Sequence, residues 1–116
     1  MPQAGALRVL FAVAAGPRIG FGHLVRSRSL ARALGSAPLV TIRGTAATRR
    51  RAASGGWRVV GITRGLSRDR DLRALDPDVL VVDDPSADAA RAWVRRARAL
   101  GVPVASVHDL GIGAVP

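Results

Sequence analysis

The sequence predicts an α/β fold, namely a Rossmann-like doubly wound parallel sheet of about five strands with helices on both faces. Two observations indicate this class. Short apolar runs rich in Val, Leu and Ile alternate with segments whose apolar residues recur at helical spacing. The runs are almost uninterrupted by polar residues, as in strands that are covered on both faces. A chain of 116 residues is long enough for one such domain.

Five strand patterns define the predicted sheet. The predicted strands are 7–14, 39–43, 57–62, 79–82 and 104–107. The run 79–82, Val-Leu-Val-Val, is the clearest of them, since four consecutive β-prone apolar residues are typical of a buried strand. We interpret the apolar start of the chain as a strand and not as a secretion signal, because cleavage there would remove the strand that the following glycine loop needs.

Four helices are predicted between these strands. They span 23–34, 45–54, 69–75 and the segment that begins after Ser86 and ends before Gly101. In the first, Leu24, Leu30 and Leu34 recur at helical spacing, and Gly35 ends the pattern. Ser86 is expected to cap the last helix, since a hydroxyl there can accept a bond from the first turn.

The composition excludes several kinds of site. All 18 basic residues are Arg and all 8 acidic residues are Asp. The absence of Lys excludes a Walker-type phosphate loop and a Schiff-base enzyme. The absence of Cys excludes disulfides and thiol catalysis, and with His23 and His108 as the two histidines we expect no metal site. No apolar stretch approaches the roughly 20 residues of a membrane helix, so no membrane span is expected.

The net charge of +10 is unevenly distributed and attracts phosphate in general. Residues 1–75 carry 14 Arg and 2 Asp, whereas residues 76–116 carry 4 Arg and 6 Asp. The chain has only four aromatic residues, so there is no row of stacking platforms for single strands. We therefore interpret the arginines mainly as general surface cations and do not expect nucleic acid as the partner. A non-catalytic basic module that binds phosphate or nucleic acid stays an alternative.

The loop between the first strand and the first helix carries the strongest chemical signal. Gly20 and Gly22 let the backbone approach a ligand closely, and the helix start is a natural seat for an oxyanion. His23 lies in the first turn, where a neutral imidazole can act as a general base. Arg26 follows one turn later and is expected to hold an anionic group of the substrate. The loop does not fit a dinucleotide fingerprint, because Val25 stands where glycine or alanine is required.

Residues 19–34, IGFGHLVRSRSLARAL, resemble the first glycine loop and helix of the PseG-type nucleotide-sugar hydrolases. Those enzymes cleave UDP-2,4-diacetamido-2,4,6-trideoxy-β-L-altropyranose on the route to pseudaminic acid. Residues 78–83, DVLVVD, and 107–110, VHDL, are similar to the family's motifs on the fourth and fifth strands. The similarity extends over about 7–111, and its most specific part is 19–26.

The resemblance implies a two-domain fold of the GT-B type, as in MurG-like glycosyltransferases. This chain would then comprise a flexible leader at 1–6, a Rossmann-like N-terminal domain at 7–111 and, at 112–116, a truncated connection to a C-terminal half that binds UDP. The chain alone is expected to be inactive, since it supplies one half of the cleft. The expected compartment is the cytoplasm, where nucleotide sugars are made.

The resemblance also assigns roles to individual residues. His23 would activate or position the water that attacks the anomeric carbon, with no metal or other cofactor. The substrate-binding residues implied beside it are Gly20, Phe21, Gly22, Arg26, Asp83 and Asp109. The chain departs from the family pattern at Asp84-Pro85 and at His108, so the sugar is left open. A glycosyltransferase that shares this half, with an acceptor hydroxyl in place of water, is the alternative.

Overall fold

A computed structural model of the protein describes residues 7–61 and 67–107, the side chains of 67–70 excepted. Within these ranges five strands form one parallel sheet, and four helices cover it. The strands are β1 (Val9–Ala14), β2 (Leu39–Arg43), β3 (Arg58–Val59), β4 (Val79–Asp83) and β5 (Val104–Ser106). The helices are α1 (Gly22–Leu34), α2 (Ala46–Ser54), α3 (Ser67–Leu75) and α4 (Ala87–Ala99). The predicted Rossmann-like α/β class is therefore confirmed.

The strand order is β3-β2-β1-β4-β5, with β1 at the centre. β1 pairs with β2 through Leu10 and Leu39, and with β4 through Leu10 and Leu80. Every residue of β1 is buried, because helices cover both of its faces and strands cover both of its edges. The chain changes direction across the sheet between β1 and β4, and ligands of open α/β sheets bind beyond the carboxyl ends of the strands at such a switch point.

The core is divided into two layers by the sheet. On one face, Phe11 and neighbouring side chains of β1 pack with residues of α1 and α2. On the other face, Leu10 and Ala12 pack with residues of α3 and α4. Because successive side chains of a strand point to opposite faces, the continuous apolar run of β1 serves both layers.

Most helix and strand bounds agree with the predicted ones to within one or two residues, and β2 agrees at both ends. The exception is β3, which was expected over 57–62 and spans only Arg58–Val59. β3 is an edge strand that pairs with two residues of β2. Trp57 takes no part in the pairing of β3 with β2. Its ring packs edge-on against Phe11, with ring centroids 5.7 Å apart, so Trp57 belongs to the hydrophobic core.

The predicted cap at Ser86 and helix end at Gly35 are present, and Thr45, predicted as the first residue of its helix, caps α2. The Ser86 hydroxyl accepts a hydrogen bond from the Ala89 N–H at 3.2 Å, and the Thr45 hydroxyl accepts one from the Thr48 N–H at 3.1 Å. Gly35 ends α1 in the left-handed conformation, with φ of 66°. Within the described residues, no helix has both the length and the apolarity to cross a membrane.

Several predictions concern residues outside the described ranges. The leader at 1–6 and the connection at 112–116 are among them, as are His108 and Asp109. The predicted role of Asp109 in substrate binding therefore stays a prediction.

Candidate functional site

The loop after β1 is closed by its own backbone. Gly20 donates a hydrogen bond to the carbonyl of Gly16 at 2.6 Å, and Gly16 donates one to the carbonyl of Gly20 at 3.2 Å. These two bonds enclose residues 17–19 and direct the chain back toward the sheet, so that α1 begins at Gly22. The loop thus brings the first turn of α1 to the carboxyl end of β1.

Gly20 and Gly22, both predicted to let the backbone approach a ligand, have different conformations and different surroundings in the fold. Gly20 has a φ of 85°, a conformation that residues with a Cβ rarely adopt. Gly22 begins the helix, and a Cβ placed on it would have no atom of the described residues within 4 Å. The fold therefore requires glycine at residue 20, whereas the described part of the chain leaves space for a side chain at residue 22.

His23, at the start of α1, contacts the carboxylate of Asp83, which belongs to the strand on the other side of the switch point. Asp83 is the last residue of β4 and lies beside Val13 of β1, so its side chain points to the face that α1 covers. Its Oδ1 lies 2.7 Å from Nδ1 of His23. The Asp83 side chain is 1% exposed and that of His23 is 11% exposed. Two residues that are 60 positions apart in the sequence thus meet in a largely buried pair.

Arg26 completes this cluster of three side chains. It lies one helical turn after His23, and its guanidinium binds Asp83 with two bonds, Nε to Oδ2 at 3.0 Å and Nη2 to Oδ1 at 2.6 Å. Bidentate pairing of arginine with a carboxylate fixes the orientation of both groups. Asp83, which lies nearly out of contact with water, is therefore compensated by a cation. Arg26 was predicted to hold an anionic substrate group, and in the structure its guanidinium binds the protein's own carboxylate.

The contacts decide which nitrogen of His23 carries the proton. An ionised Asp83 has only acceptor atoms, so the 2.7 Å contact needs a hydrogen on Nδ1 of His23. Nη2 of Arg26 is 3.2 Å from the same nitrogen. It cannot donate to a nitrogen that is itself a donor, and its hydrogen goes to Asp83. A neutral His23 therefore has its lone pair on Nε2.

This arrangement can perform general base chemistry. A histidine whose Nδ1–H is bound by a buried carboxylate has a fixed ring orientation and a defined tautomer, and the carboxylate stabilises the imidazolium that forms when Nε2 takes a proton. The sequence indicated His23 and Asp83 separately, on the loop motif and on the strand-end motif. The fold adds that they form one unit, with Arg26 as the third member.

Asp84, where the chain departs from the family pattern, contributes to the turn before α4. Its Oδ1 accepts a bond from the backbone N–H of Ser86 at 2.8 Å. Its carboxylate also binds Arg43 at the end of β2, through Nε and Nη2, each at 2.7 Å. This hydrogen bonding raises the pKa of the Arg43 guanidinium above its usual value, and the charge of Asp84 adds to the effect while burial opposes it. Sequence reasoning missed Arg43, although its place at the carboxyl end of a predicted strand was a usable signal.

Phe21 lies between α1 and α2, half-buried against the core. The guanidinium carbon of Arg51 lies 4.4 Å from the centroid of its ring, in a cation–π contact. One face of the ring is thus covered by the protein itself. The predicted contact of Phe21 with a substrate stays a prediction.

In the described part of the chain, no group of three or more metal-ligating side chains comes together. Searches among protein-family models, curated proteins and solved structures find no match to this chain. The assignment of a function therefore depends on the geometry around His23 and on the motif similarity described above.

Proposed function

We propose that the chain is the N-terminal half of a nucleotide-sugar hydrolase that releases UDP from a UDP-amino-sugar, with His23 as the catalytic base. The observation that carries the proposal is the 2.7 Å contact between Nδ1 of His23 and the buried Asp83. It lies at the carboxyl edge of the sheet, beside the switch point between β1 and β4. The similarity of residues 19–26 to the PseG-type loop supports the choice of substrate class.

In the proposed reaction, water attacks the anomeric carbon of the sugar while Nε2 of His23 takes its proton. The bond between the anomeric carbon and the diphosphate oxygen breaks, and UDP leaves with the electron pair. The products are UDP, the free sugar and one proton, which His23 later returns to the solvent. Asp83 holds the ring and compensates the imidazolium, and the two bonds from Arg26 hold Asp83 in place.

The second half of the cleft would come from a C-terminal UDP-binding domain or a partner chain. His23 and the glycine loop occupy one edge of one sheet, and enclosing a nucleotide sugar requires a facing surface. In this proposal the described domain contacts the sugar and the attacking water, and the facing half holds the uridine and the diphosphate. The reaction would take place in the cytoplasm, where its substrate is made.

The test measures UDP release from UDP-2,4-diacetamido-2,4,6-trideoxy-β-L-altropyranose by the natural gene product, together with its UDP-binding half if that half is separately encoded. His23→Ala should lower kcat by roughly 10²–10⁴, the usual contribution of a general base. Ser29→Ala, on the exposed side of the same helix, is the matched control and should leave kcat unchanged.

Unchanged turnover in His23→Ala would overturn the proposed role of His23. Analysis of the sugar product separates the two reaction types, because a hydrolase forms free sugar without any acceptor. UDP release that requires an added acceptor hydroxyl would instead establish the glycosyltransferase alternative.

A further inference from the structure

We propose that a cavity at the carboxyl edge of the sheet, beside α4, binds a small organic anion such as a phosphate monoester or a carboxylate. The cavity lies at the carboxyl ends of β2 and β4, between Arg43, Arg49 and Asp84 on one side and α4 on the other. His23 and Asp83 do not line this cavity, so the inference does not rest on the proposed hydrolase activity.

The size of the cavity suits a small molecule. Its volume is about 350 Å³, which falls in the range of small-molecule sites in proteins. Ala89, Ala92 and Trp93 of α4 contribute an apolar wall. Such sites combine an apolar lining with a few convergent polar groups that fix the orientation of the ligand.

The first polar group that points to a ligand is the hydroxyl of Thr41. Thr41 lines the cavity from the middle of β2 and is 9% exposed. Among the described residues its hydroxyl has no hydrogen-bonding partner, whereas the other buried threonine, Thr48, shares a 3.0 Å bond with Thr45. A buried polar group without a partner is costly, and a bound oxygen atom would satisfy it.

Two arginines supply the positive charge. Arg49 reaches the cavity from α2, where its Nη1 donates to the carbonyl of Gly44 at 2.9 Å. Within the described residues no carboxylate pairs with Arg49, and its bond to a carbonyl leaves its charge uncompensated there. Arg43 contributes a second guanidinium, and among the described lining residues Asp84 is the one carboxylate. Both oxygens of Asp84 are already bound, by Arg43 and by the N–H of Ser86.

These observations together select the chemistry of the ligand. Two guanidiniums against one carboxylate leave a net positive charge, which favours an anion. A guanidinium and a hydroxyl donor are the groups that bind phosphate and carboxylate oxygens. The apolar wall of α4 favours an organic body attached to the anionic group.

The test uses phenyl phosphate as the probe, measured on the purified chain by titration calorimetry and by chemical shifts of backbone amides. We expect saturable binding, with the largest shifts at Thr41 and Arg49. Arg49→Gln and Thr41→Val should each weaken binding about tenfold, because each removes a hydrogen bond to a charged group. Thr41→Val keeps the shape of the side chain and suits a strand, so the variant is expected to fold.

Arg50→Gln and His23→Ala are the matched controls. Arg50 is the exposed neighbour of Arg49 and does not line the cavity, so its loss should not affect binding. Equal weakening by Arg50→Gln would mean general attraction of anions to a basic surface, and would overturn the proposal. Loss of binding in His23→Ala would place the anion at the cluster of His23, Arg26 and Asp83 and would also overturn it. So would affinities of Arg49→Gln and Thr41→Val within about twofold of the unaltered protein.

Discussion

Asp83 and Asp84 are adjacent in the chain, and their carboxylates bind cations on opposite faces of the sheet. Asp83 binds Arg26 of α1, and Asp84 binds Arg43 at the end of β2. The division follows from the alternation of side chains along β4, which continues into its first loop residue. The two adjacent aspartates at the end of β4 therefore bind two different elements at the carboxyl edge of the sheet, α1 through Asp83 and the end of β2 through Asp84.

Replacing Asp83 by asparagine should lower turnover without changing the shape of the site. The amide carries no charge, so it cannot compensate a protonated His23. Its NH₂ group can also face Nδ1 of the ring, as a donor where the carboxylate is an acceptor. We expect kcat for UDP release to fall by about 10² or more. The double variant His23→Ala/Asp83→Asn should be no slower than His23→Ala, since the two residues act as one unit.

The control for this change is Asp88→Asn, in an exposed pair with Arg91 on α4. It should leave kcat unchanged, because surface pairs contribute little. If Asp83→Asn retains full activity, then Asp83 does not position His23 for the reaction.

Substitution of Gly20 and Gly22 should show which glycine is needed for stability and which for the approach of a ligand. Gly20→Ala should lower the free energy of unfolding by about 1–2 kcal/mol, because alanine is strained at a φ of 85°. Gly22→Ala should leave the free energy of unfolding unchanged or slightly raised, since no atom of the described residues would touch the added Cβ and alanine restricts the unfolded chain. Urea unfolding measures both. A loss of turnover in a stable Gly22→Ala variant would indicate that a ligand approaches this backbone.

Gly44 is required for a different reason, the close approach of two strand ends. A Cβ on Gly44 would lie 2.4 Å from the carbonyl oxygen of Ala15, and a backbone atom there cannot move aside cheaply. Gly44→Ala should therefore lower the free energy of unfolding by about 1–3 kcal/mol. Gly61→Ala is the matched control, since the added Cβ would have no atom of the described residues within 4 Å. Equal stability of the two variants in urea would contradict the tight contact.

Removing the hydroxyl of Ser27 should stabilise the protein. Ser27 lies on the buried side of α1, is 2% exposed and has no hydrogen-bonding partner for its side chain among the described residues. Ser27→Ala removes this buried polar group and should raise the free energy of unfolding by about 1 kcal/mol. Ser29→Ala, on the exposed side of the same helix, has the same gain in helix propensity but loses a 3.3 Å bond to Val25. The free energy of unfolding, measured by thermal or urea unfolding, should therefore rise less in Ser29→Ala than in Ser27→Ala. A larger rise in Ser29→Ala would contradict the prediction.

The order of strands and helices was predictable from the sequence because each element has a local signal. The buried strands are continuous apolar runs, and α4 begins at Ser86 as its cap requires. The start of β3 was not predictable, because Trp57 precedes the strand as an apolar β-prone residue and yet packs in the core against Phe11. Local pattern does not distinguish a ladder residue from a core residue next to it.

The members of the candidate site were partly predictable, whereas their contacts were not. The motif around His23 and the acidic end of β4 can each be located in the sequence. That Asp83 faces α1, and that Arg26 binds it, depends on the register between β1 and β4. Such a pairing between distant segments leaves no periodicity in the sequence.

The central position of β1 determines the order in which the molecule is assembled during synthesis. β2 and β3 follow β1 closely along the chain, but the strand on its other edge is β4, where Val79 pairs with Val9. One edge of the most apolar strand thus stays open until the ribosome has released β4. This long-range closure is the slow step expected for a parallel sheet, and an open apolar edge is the feature by which nascent chains associate. His23 acquires its carboxylate only at the same moment, so the second edge of β1 is covered and the candidate site is completed together.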